Sequence, residues 1–300
     1  MTYFPDYLKS FPNMDTSSPL HINLNRLDSG FRPHRHDFLE FSYVIDGAGA
    51  EAINDVTHVM KPGTFTFVLP YQVHEIFTEQ DSTLVLYNCN FSMDLLMGPG
   101  RDESLNDFIE QSALPSFVQL EGQASAKMHA LVEEMYAEYK SAKPWRLTLL
   151  QLKLKEILIH FDRERRIAAP QHMDAQPASK KSYSVWPIIH YIHMHYQEDL
   201  SLSDLSAKFS MSISRISEVI KETTGQTFVH FLHDLRLRHA CSLLVSTEMS
   251  VSEIAFEVGY GSYKTFSRIF HEKKGIVPKD YRKLKSISAS TAAAVITDAH

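Results

Sequence analysis

A pattern of two helices separated by a short turn occurs twice in the last hundred residues of the chain. In the first copy, helical stretches over residues 202–209 and 213–224 flank a three-residue turn. In the second copy, stretches over 251–258 and 263–274 flank a four-residue turn. A short helix, a tight turn and a second helix form a helix-turn-helix, which places its second helix in the DNA major groove. Two such units predict a DNA-binding module.

Capping residues mark the ends of these predicted helices. Ser201 is placed to cap the first short helix, and Ser250 and Glu253 have capping-box spacing at the start of the second. Gly225 and Gly275 follow the two long helices, where a left-handed backbone favours a residue without Cβ. The caps and the apolar periodicity therefore predict the same helix boundaries.

Each long helix has one apolar and one polar face. The predicted buried faces carry large apolar side chains at helical spacing, namely Ile216, Val219 and Ile220 and then Phe266, Ile269 and Phe270. The opposite faces are predicted to contact DNA through Ser214, Arg215, Ser217, Glu218 and Lys221 in the first helix and Tyr263, Lys264, Ser267, Arg268 and His271 in the second. Apolar residues over 227–245 predict a rigid connecting helix between the two units.

From about Val185 to Lys285 the chain resembles the AraC/XylS family of bacterial transcription regulators. The resemblance depends on an ordered string of short motifs, namely Arg236-Leu237, Ala240, Leu243-Leu244, the stretch 254–260, the stretch 266–270, the stretch 275–278 and Tyr281-Arg282. It implies two recognition helices in successive major grooves, about 34 Å apart.

The resemblance also implies which residues read bases. These are Ser214, Ser217 and Glu218 in the first helix and Tyr263, Lys264, Ser267 and Arg268 in the second. Glu218 departs from the family pattern, in which this position is often basic or amide-bearing. A carboxylate there can accept a hydrogen bond from cytosine N4, but it repels phosphate. For any one of these residues the alternative is an ordinary solvated helix face.

The distribution of charge agrees with a two-domain regulator. Residues 1–176 hold 15 Lys and Arg against 24 Asp and Glu, whereas residues 177–300 hold 15 against 12. Basic residues are thus relatively concentrated where DNA binding is predicted, and the overall charge of −6 is compatible with a DNA partner. The predicted organisation is a sensory domain over 1–167, a linker over 168–182, a DNA-binding domain over 183–285 and a flexible tail over 286–300.

Cysteine content and hydropathy predict a cytoplasmic protein without a membrane segment. The two cysteines, Cys89 and Cys241, lie in different halves of the chain and suggest no disulfide framework. The N-terminus lacks the features of a secretory signal, and no run approaches the ~18 apolar residues of a membrane span.

The N-terminal half is predicted to contain short β-strands. Stretches 38–45, 63–70 and 83–88 are rich in β-favouring residues and bounded by turn signals. Two groups of residues resemble the two sequence motifs of a cupin barrel. The first is Gly30, His34, His36, Glu40 and Gly47, and the second is Gly63, Pro70 and His74. The first glycine-to-histidine spacing is short for a cupin, and the second motif lacks its internal glycine. The predicted fold class is α+β, with a cupin-like β-barrel and helices followed by an all-α double helix-turn-helix.

The barrel residues allow two interpretations. We expect His34, His36, Glu40, Tyr43 and His74 to line a pocket for a small-molecule effector, such as a sugar or related metabolite, without cofactor or metal. The alternative is that His34, His36, Glu40 and His74 form a ligand set for Mn, Fe, Ni or Zn, because His34 and His36 alternate on one strand and face the same side. That alternative corresponds to a metal-dependent cupin enzyme or a metal sensor fused to a DNA-binding module.

Two amphipathic helices are predicted after the strands. Apolar stripes run through residues 124–141 and 145–166. They either cover the barrel or leave one stripe for a homodimer interface, as such helices do in relatives of this architecture. The sequence as a whole predicts a non-enzymatic transcription regulator that binds promoter DNA and, as an activator, contacts RNA polymerase. A constitutive DNA-binding protein without effector is the remaining alternative.

Overall fold

The structure is a computed structural model that describes residues 6–8, 19–54, 56–79, 82–96, 114–173 and 185–284. The described residues fall into two compact units, one up to residue 173 and the other from residue 185. The predicted tail over 286–300 and residues 174–182 of the predicted linker lie outside the described residues.

Strands dominate the N-terminal unit. Its described strands are β1 (Asp6–Leu8), β2 (Leu20–Leu27), β3 (Phe31–His36), β4 (Leu39–Asp46), β5 (Gly49–Ile53), β6 (Val56–Met60), β7 (Thr64–Val68), β8 (His74–Thr78), β9 (Leu84–Phe91) and β10 (Phe117–Gln119). They form two five-stranded sheets, ordered β1-β3-β8-β5-β6 and β10-β7-β4-β9-β2. All pairings are antiparallel except that of β1 with β3. The three predicted strand stretches correspond to β4, β7 and β9.

The two sheets enclose a common interior that has an apolar and a polar part. Side chains from both sheets pack in the apolar part, namely Val44, Met60, Ile76, Leu84 and Leu86. The polar part is joined by contacts between sheets, such as His58 with Thr66 and His36 with Glu40. Along β4, Glu40, Ser42 and Val44 face this interior because alternate residues of a strand share a side.

Two helices cover the outside of one sheet. They are α1 (Gly122–Lys140) and α2 (Arg146–Met173), and a short 3₁₀ turn spans Met93–Leu95 earlier in the unit. The ring of Phe161 on α2 stacks on Phe65 with centroids 4.8 Å apart, and Phe65 in turn stacks on Phe41 of β4. The predicted apolar stripes therefore pack on the barrel.

The linker was predicted to begin at residue 168, but helix α2 continues to Met173. Ala168 and Ala169 have high helix propensity, and they extend the helix past its last apolar contact with the barrel.

The C-terminal unit is helical. It contains α3 (Trp186–Met194), α4 (Leu202–Phe209), α5 (Ile213–Thr224), α6 (Phe228–Ser246), α7 (Val251–Glu257) and α8 (Tyr263–Lys274), and residues 278–284 are also helical. The predicted capping box of Ser250 with Glu253 is present, and Ser201 forms another with Asp204. Gly225 and Gly275 both have φ of 74° and cap α5 and α8 in the left-handed conformation.

Helix α6 connects the two helix-turn-helix units and contributes to the core of the second. Its Leu237, Ala240, Cys241 and Leu244 pack with apolar residues of α7 and α8, including Ile254, Phe266 and Phe270. Both cysteines are buried, and they form no disulfide. None of the helices in the described part of the chain is long and apolar enough to cross a membrane.

Candidate functional site

The recognition helices α5 and α8 expose the same set of positions. Their burial patterns coincide over the first ten residues of each helix when residue numbers are offset by 50, so that Ile216 matches Phe266 and both are fully buried. The N-caps also correspond, because Ser212 accepts a hydrogen bond from Arg215 N and Ser262 accepts one from Thr265 N, each over 3.2 Å. The two copies thus hold their polar faces by the same local interactions.

The ten predicted DNA contacts all lie on these polar faces. Ser217 and Ser267 are half-buried, and the other eight are exposed. Thr265, which the sequence analysis missed, is also exposed and occupies the position that Arg215 has in α5. The offset of the repeat is the sequence signal that identifies it.

Ion pairs organise the two faces. In α5, Arg215 Nη1 lies 2.7 Å from Glu218 Oε2 and 3.8 Å from Glu222 Oε2. In α8, Arg268 Nη1 lies 2.7 Å from Glu272 Oε1. The carboxylate of Glu218, which departs from the family pattern, is therefore partly neutralised by its own helix. All of these side chains are about half exposed or more, so the pairs contribute little to stability.

Two arginines of the family-like motif have structural contacts. Arg236 donates hydrogen bonds to the carbonyl oxygens of Tyr196 and Glu198, over 2.7 and 2.8 Å. Arg282 donates to the carbonyl oxygens of Leu244 and Met249, over 3.0 and 2.7 Å. Such contacts satisfy carbonyl groups at chain reversals. These two arginines hold the loop before α4 and the loop after α6, which position the two helix-turn-helix units.

In the barrel, the structure brings together four of the five predicted effector residues. One donor atom from each of His34, His36, Glu40 and His74 lies within 4.8 Å of the other three, and all four residues are buried. His36 Nε2 lies 3.1 Å from His74 Nε2 and 3.3 Å from Glu40 Oε2. The four residues, which we call the histidine cluster, come from the neighbouring strands β3 and β8 and from β4 of the facing sheet.

Tyr43 does not join the histidine cluster. It lies three residues after Glu40 on β4, and strand alternation therefore places it on the outer side of the sheet. Its hydroxyl contacts the carbonyl oxygen and Oγ of Ser125 on α1, each at 3.1 Å. It lines a surface cavity of about 660 Å³ that shares no residue with the cluster. The prediction that Tyr43 lines the same pocket as the histidines is wrong.

A second group of inward-facing polar residues, missed by the sequence analysis, supports the histidine cluster. Glu51 Oε1 lies 3.1 Å from His74 Nδ1, and Glu51 Oε2 lies 3.4 Å from His58 Nε2. Asn88 Nδ2 donates to Glu40 Oε1 over 2.8 Å. A sequence signal for these residues exists, because each lies two positions from an inward-facing apolar residue on its own strand. The pairs are Glu51 with Ile53, His58 with Met60, and Asn88 with Leu86.

Burial strongly perturbs the acid–base behaviour of this interior. Desolvation, followed by the charge of His74, lowers the pKa of His34 to about 4, and desolvation also lowers the pKa of His74 to about 4. Burial opposes ionisation of Glu40, but the surrounding imidazoles of His36, His74 and His34 outweigh it and lower the pKa of Glu40 to about 2. Desolvation raises the pKa of Glu51 to about 7. At neutral pH, Glu40 is therefore an ionised carboxylate beside the neutral imidazoles of His34 and His74.

A polar barrel interior in one unit and two exposed recognition helices in the other define a ligand-responsive DNA-binding transcription regulator. Residues 22–152 match the family described as an AraC-like ligand binding domain, and residues 205–284 match a helix-turn-helix domain. The chain belongs to the AraC/XylS family of transcription regulators.

The RhaS relatives match most of the chain. The HTH-type transcriptional activator RhaS of Enterobacter sp. (strain 638) is 25% identical over 277 residues, covering 90% of this chain and 94% of the relative. RhaS of Yersinia pseudotuberculosis serotype I is 24% identical and covers 89% and 94%. Among solved structures, the C-terminal domain of AraT, a response regulator from Geobacillus stearothermophilus, is 34% identical over 35% of this chain and 88% of that chain, with a TM-score of 0.34.

Proposed function

We propose that this regulator activates transcription when a small-molecule effector binds the interior of its N-terminal barrel. The observation that carries the proposal is the pairing of two equivalent exposed helices, α5 and α8, with a buried polar cluster in the other unit. The two RhaS relatives are named as transcriptional activators, which supports activation rather than repression. An activator of this kind contacts RNA polymerase, and its chromosomal target places it in the bacterial cytoplasm.

The DNA contacts are assigned to the ten side chains of α5 and α8 that the sequence predicts, all of which are exposed or half-buried. Arg268 is suited to the O6 and N7 atoms of guanine, because its planar guanidinium donates two parallel hydrogen bonds. Lys264 and Lys221 are suited to phosphate. Glu218 can accept a hydrogen bond from cytosine N4, and its pairing with Arg215 reduces its repulsion of the DNA backbone.

The effector is assigned to the polar part of the barrel, around the histidine cluster, and a sugar or related polar metabolite fits its hydrogen-bonding groups. We propose that the barrel does not turn over a substrate. The RhaS relatives are named as transcriptional activators rather than as enzymes, which supports this proposal.

The interface of a proposed homodimer is assigned to the outer side of α2. Leu149, Leu152 and Ile159 lie on that side at helical spacing and are 40%, 57% and 40% exposed. A stripe of this kind is the feature that two copies of a helix bury against each other. Dimerisation would bring four recognition helices to one operator.

The experiment begins with selection of DNA from a random library by the full-length protein. The selected site is then placed upstream of a reporter, and transcription with purified RNA polymerase is measured with and without candidate polar metabolites. We expect a defined sequence and increased transcription with one class of metabolite. Failure to select any sequence would contradict DNA reading, and decreased transcription on the selected site would contradict activation.

A further inference from the structure

We infer that the histidine cluster is a binding site for a divalent first-row transition metal ion, held by His34, His36, Glu40 and His74. This inference rests on the proposed effector site and identifies its chemistry. The sequence alone favoured an organic effector without metal. The orientation of each side chain, which sequence cannot show, carries the argument for a metal.

Hydrogen bonds fix which nitrogen of each histidine faces the centre. His34 Nδ1 lies 3.0 Å from the carbonyl oxygen of Arg32, and His36 Nδ1 lies 2.9 Å from that of Phe38. A carbonyl oxygen can only accept, so each Nδ1 carries a hydrogen and each neutral imidazole has a bare Nε2. His74 Nδ1 lies 3.1 Å from Glu51 Oε1, and the ionised form of Glu51, which can only accept, fixes the same tautomer in His74. With Glu51 ionised, Nε2 is in all three residues the nitrogen left to act as an electron-pair donor.

These bare nitrogen atoms approach one another and a carboxylate. His36 Nε2 and His74 Nε2 are 3.1 Å apart, and Glu40 Oε2 is 3.3 Å from His36 Nε2. Two electron pairs at this separation repel unless a hydrogen atom or a metal ion lies between them. One proton can bridge only two such atoms, whereas donor atoms of four residues converge here within 4.8 Å. A metal ion engages all four.

The surrounding residues match the outer shell of a metal site. Metal-binding histidines generally donate their other N–H to a carbonyl or a carboxylate, which fixes the ring and strengthens the donor nitrogen. Arg32, Phe38 and Glu51 supply those acceptors here. Asn88 holds Glu40 Oε1, and this leaves Oε2 directed at His36.

The donor set also selects the class of ion. Three imidazoles and one carboxylate suit Mn²⁺, Fe²⁺, Co²⁺, Ni²⁺ or Zn²⁺, and affinity is expected to increase along that series towards Ni²⁺. Mg²⁺ and Ca²⁺ prefer oxygen ligands and should bind poorly. Such an ion either is the effector or coordinates an oxygen-containing effector in the barrel.

The test uses full-length protein purified without a metal-affinity tag and treated with chelator. Zn²⁺ content after dialysis is measured by elemental analysis, and Co²⁺ binding is followed by its visible absorption. We expect about one equivalent of either ion and none of Mg²⁺. His74→Ala and Glu40→Gln should each weaken binding at least tenfold, and Glu51→Gln should weaken it about 10- to 100-fold. His129→Ala, which changes a histidine outside the cluster, is the matched control and should bind normally.

Glu40→Gln preserves side-chain shape, and circular dichroism of each variant establishes whether it is folded. The inference is overturned if the folded wild-type protein binds less than a tenth of an equivalent, or if folded His74→Ala and Glu40→Gln bind as well as His129→Ala. DNA binding is measured on the same samples. Sequence-specific DNA binding with no metal uptake would contradict the metal site and leave the proposed function standing, whereas absence of sequence-specific binding in every sample would contradict the proposed function itself.

Discussion

At the scale of single residues, the two recognition helices differ most at one equivalent position. Glu218 in α5 and Arg268 in α8 are related by the offset of 50, and they carry opposite charges. Each forms an ion pair within its own helix. The two copies therefore share a scaffold but present different hydrogen-bonding groups, a donor in α8 and an acceptor in α5. We expect the two halves of the operator to differ in sequence for this reason.

Arg268→Ala is predicted to relax base preference at one or two adjacent base pairs. The pair with Glu272 involves side chains that are 62% and 56% exposed and is worth about 0.5 kcal/mol. A two-pronged contact with guanine is worth about 1–3 kcal/mol of discrimination, so the arginine can leave its partner on binding. Binding across a randomised operator measures the effect.

Two further variants make this result interpretable. Glu272→Ala frees Arg268 without removing it and should leave the base profile unchanged. Lys264→Ala should weaken all sites evenly, since a phosphate contact does not depend on sequence. An unchanged base profile for Arg268→Ala would assign this arginine to the solvated helix surface.

The residues of the barrel illustrate what sequence could and could not predict. His34 and His36 were expected on one side because they are two apart on a strand, and their motif also included Glu40 and His74. Tyr43 was misplaced because strand alternation was not applied to it: it lies three residues after Glu40 and therefore faces the other side of β4. Glu51 and His58 were missed because the short strands β5 and β6, with a glycine and two alanines in β5, have a weak β signal.

At the scale of elements, the turn of the second helix-turn-helix depends on Gly259. Its φ is +90°, and a Cβ at this position would lie 2.6 Å from the carbonyl oxygen of Gln197. Gly261, two residues later, has open space around it. The turn between α7 and α8 is therefore packed against the loop before α4. This contact joins the second helix-turn-helix to the start of the first.

Gly259→Ala is predicted to destabilise the C-terminal unit by about 1–3 kcal/mol, because the added Cβ meets both an unfavourable φ and a backbone clash. Gly261→Ala is the matched control and should change stability by less than about 0.5 kcal/mol. Both are made in a Trp145→Phe background, in which buried Trp186 is the remaining tryptophan and reports unfolding of this unit by fluorescence. Equal denaturation midpoints for the two variants would contradict the packing of this turn.

Helix α2 has an inner side that packs on the barrel and an outer side that retains apolar residues. Leu152→Glu is predicted to convert the proposed homodimer to a monomer, since two glutamates would face each other across the α2 interface without partners. Val59→Glu introduces the same charge at another exposed apolar position, 64% exposed on β6, and should leave the dimer intact. Light scattering after gel filtration measures the mass. A wild-type monomer, or dimers in both variants, would refute an interface on α2.

Sequence patterns were sufficient to predict the ends of some helices but not of others. Caps and apolar periodicity predicted α5 and α8 with their correct ends, because serine N-caps and glycine C-caps act locally. The linker was predicted to begin too early because its two prolines and its lack of core-forming side chains were weighed above the helix propensity of Ala168 and Ala169. In the structure helix α2 is already supported on the barrel through Phe161, so its last turns continue past that point.

At the scale of the whole molecule, the protein must bind a polyanion although its net charge is −6. The excess of acidic residues lies in residues 1–176, and the C-terminal half carries a formal balance of +3. Screening confines charge effects to about 8–10 Å at physiological salt, so acidic residues on distant surfaces oppose binding only weakly. Affinity therefore depends on the basic residues of the reading surface rather than on net charge.

Salt dependence of operator binding tests this account. Each phosphate neutralised by a lysine or arginine releases condensed counterions, so the logarithm of affinity should fall linearly with the logarithm of salt concentration. Lys264→Ala is predicted to reduce the magnitude of that slope by about 1, the contribution of a single phosphate contact. Lys127→Ala removes the same charge from an exposed position on α1 and should leave the slope unchanged while altering net charge equally. If the two variants lower the slope by the same amount, the overall charge of the molecule, and not the contacts made by α8, determines how strongly it binds DNA.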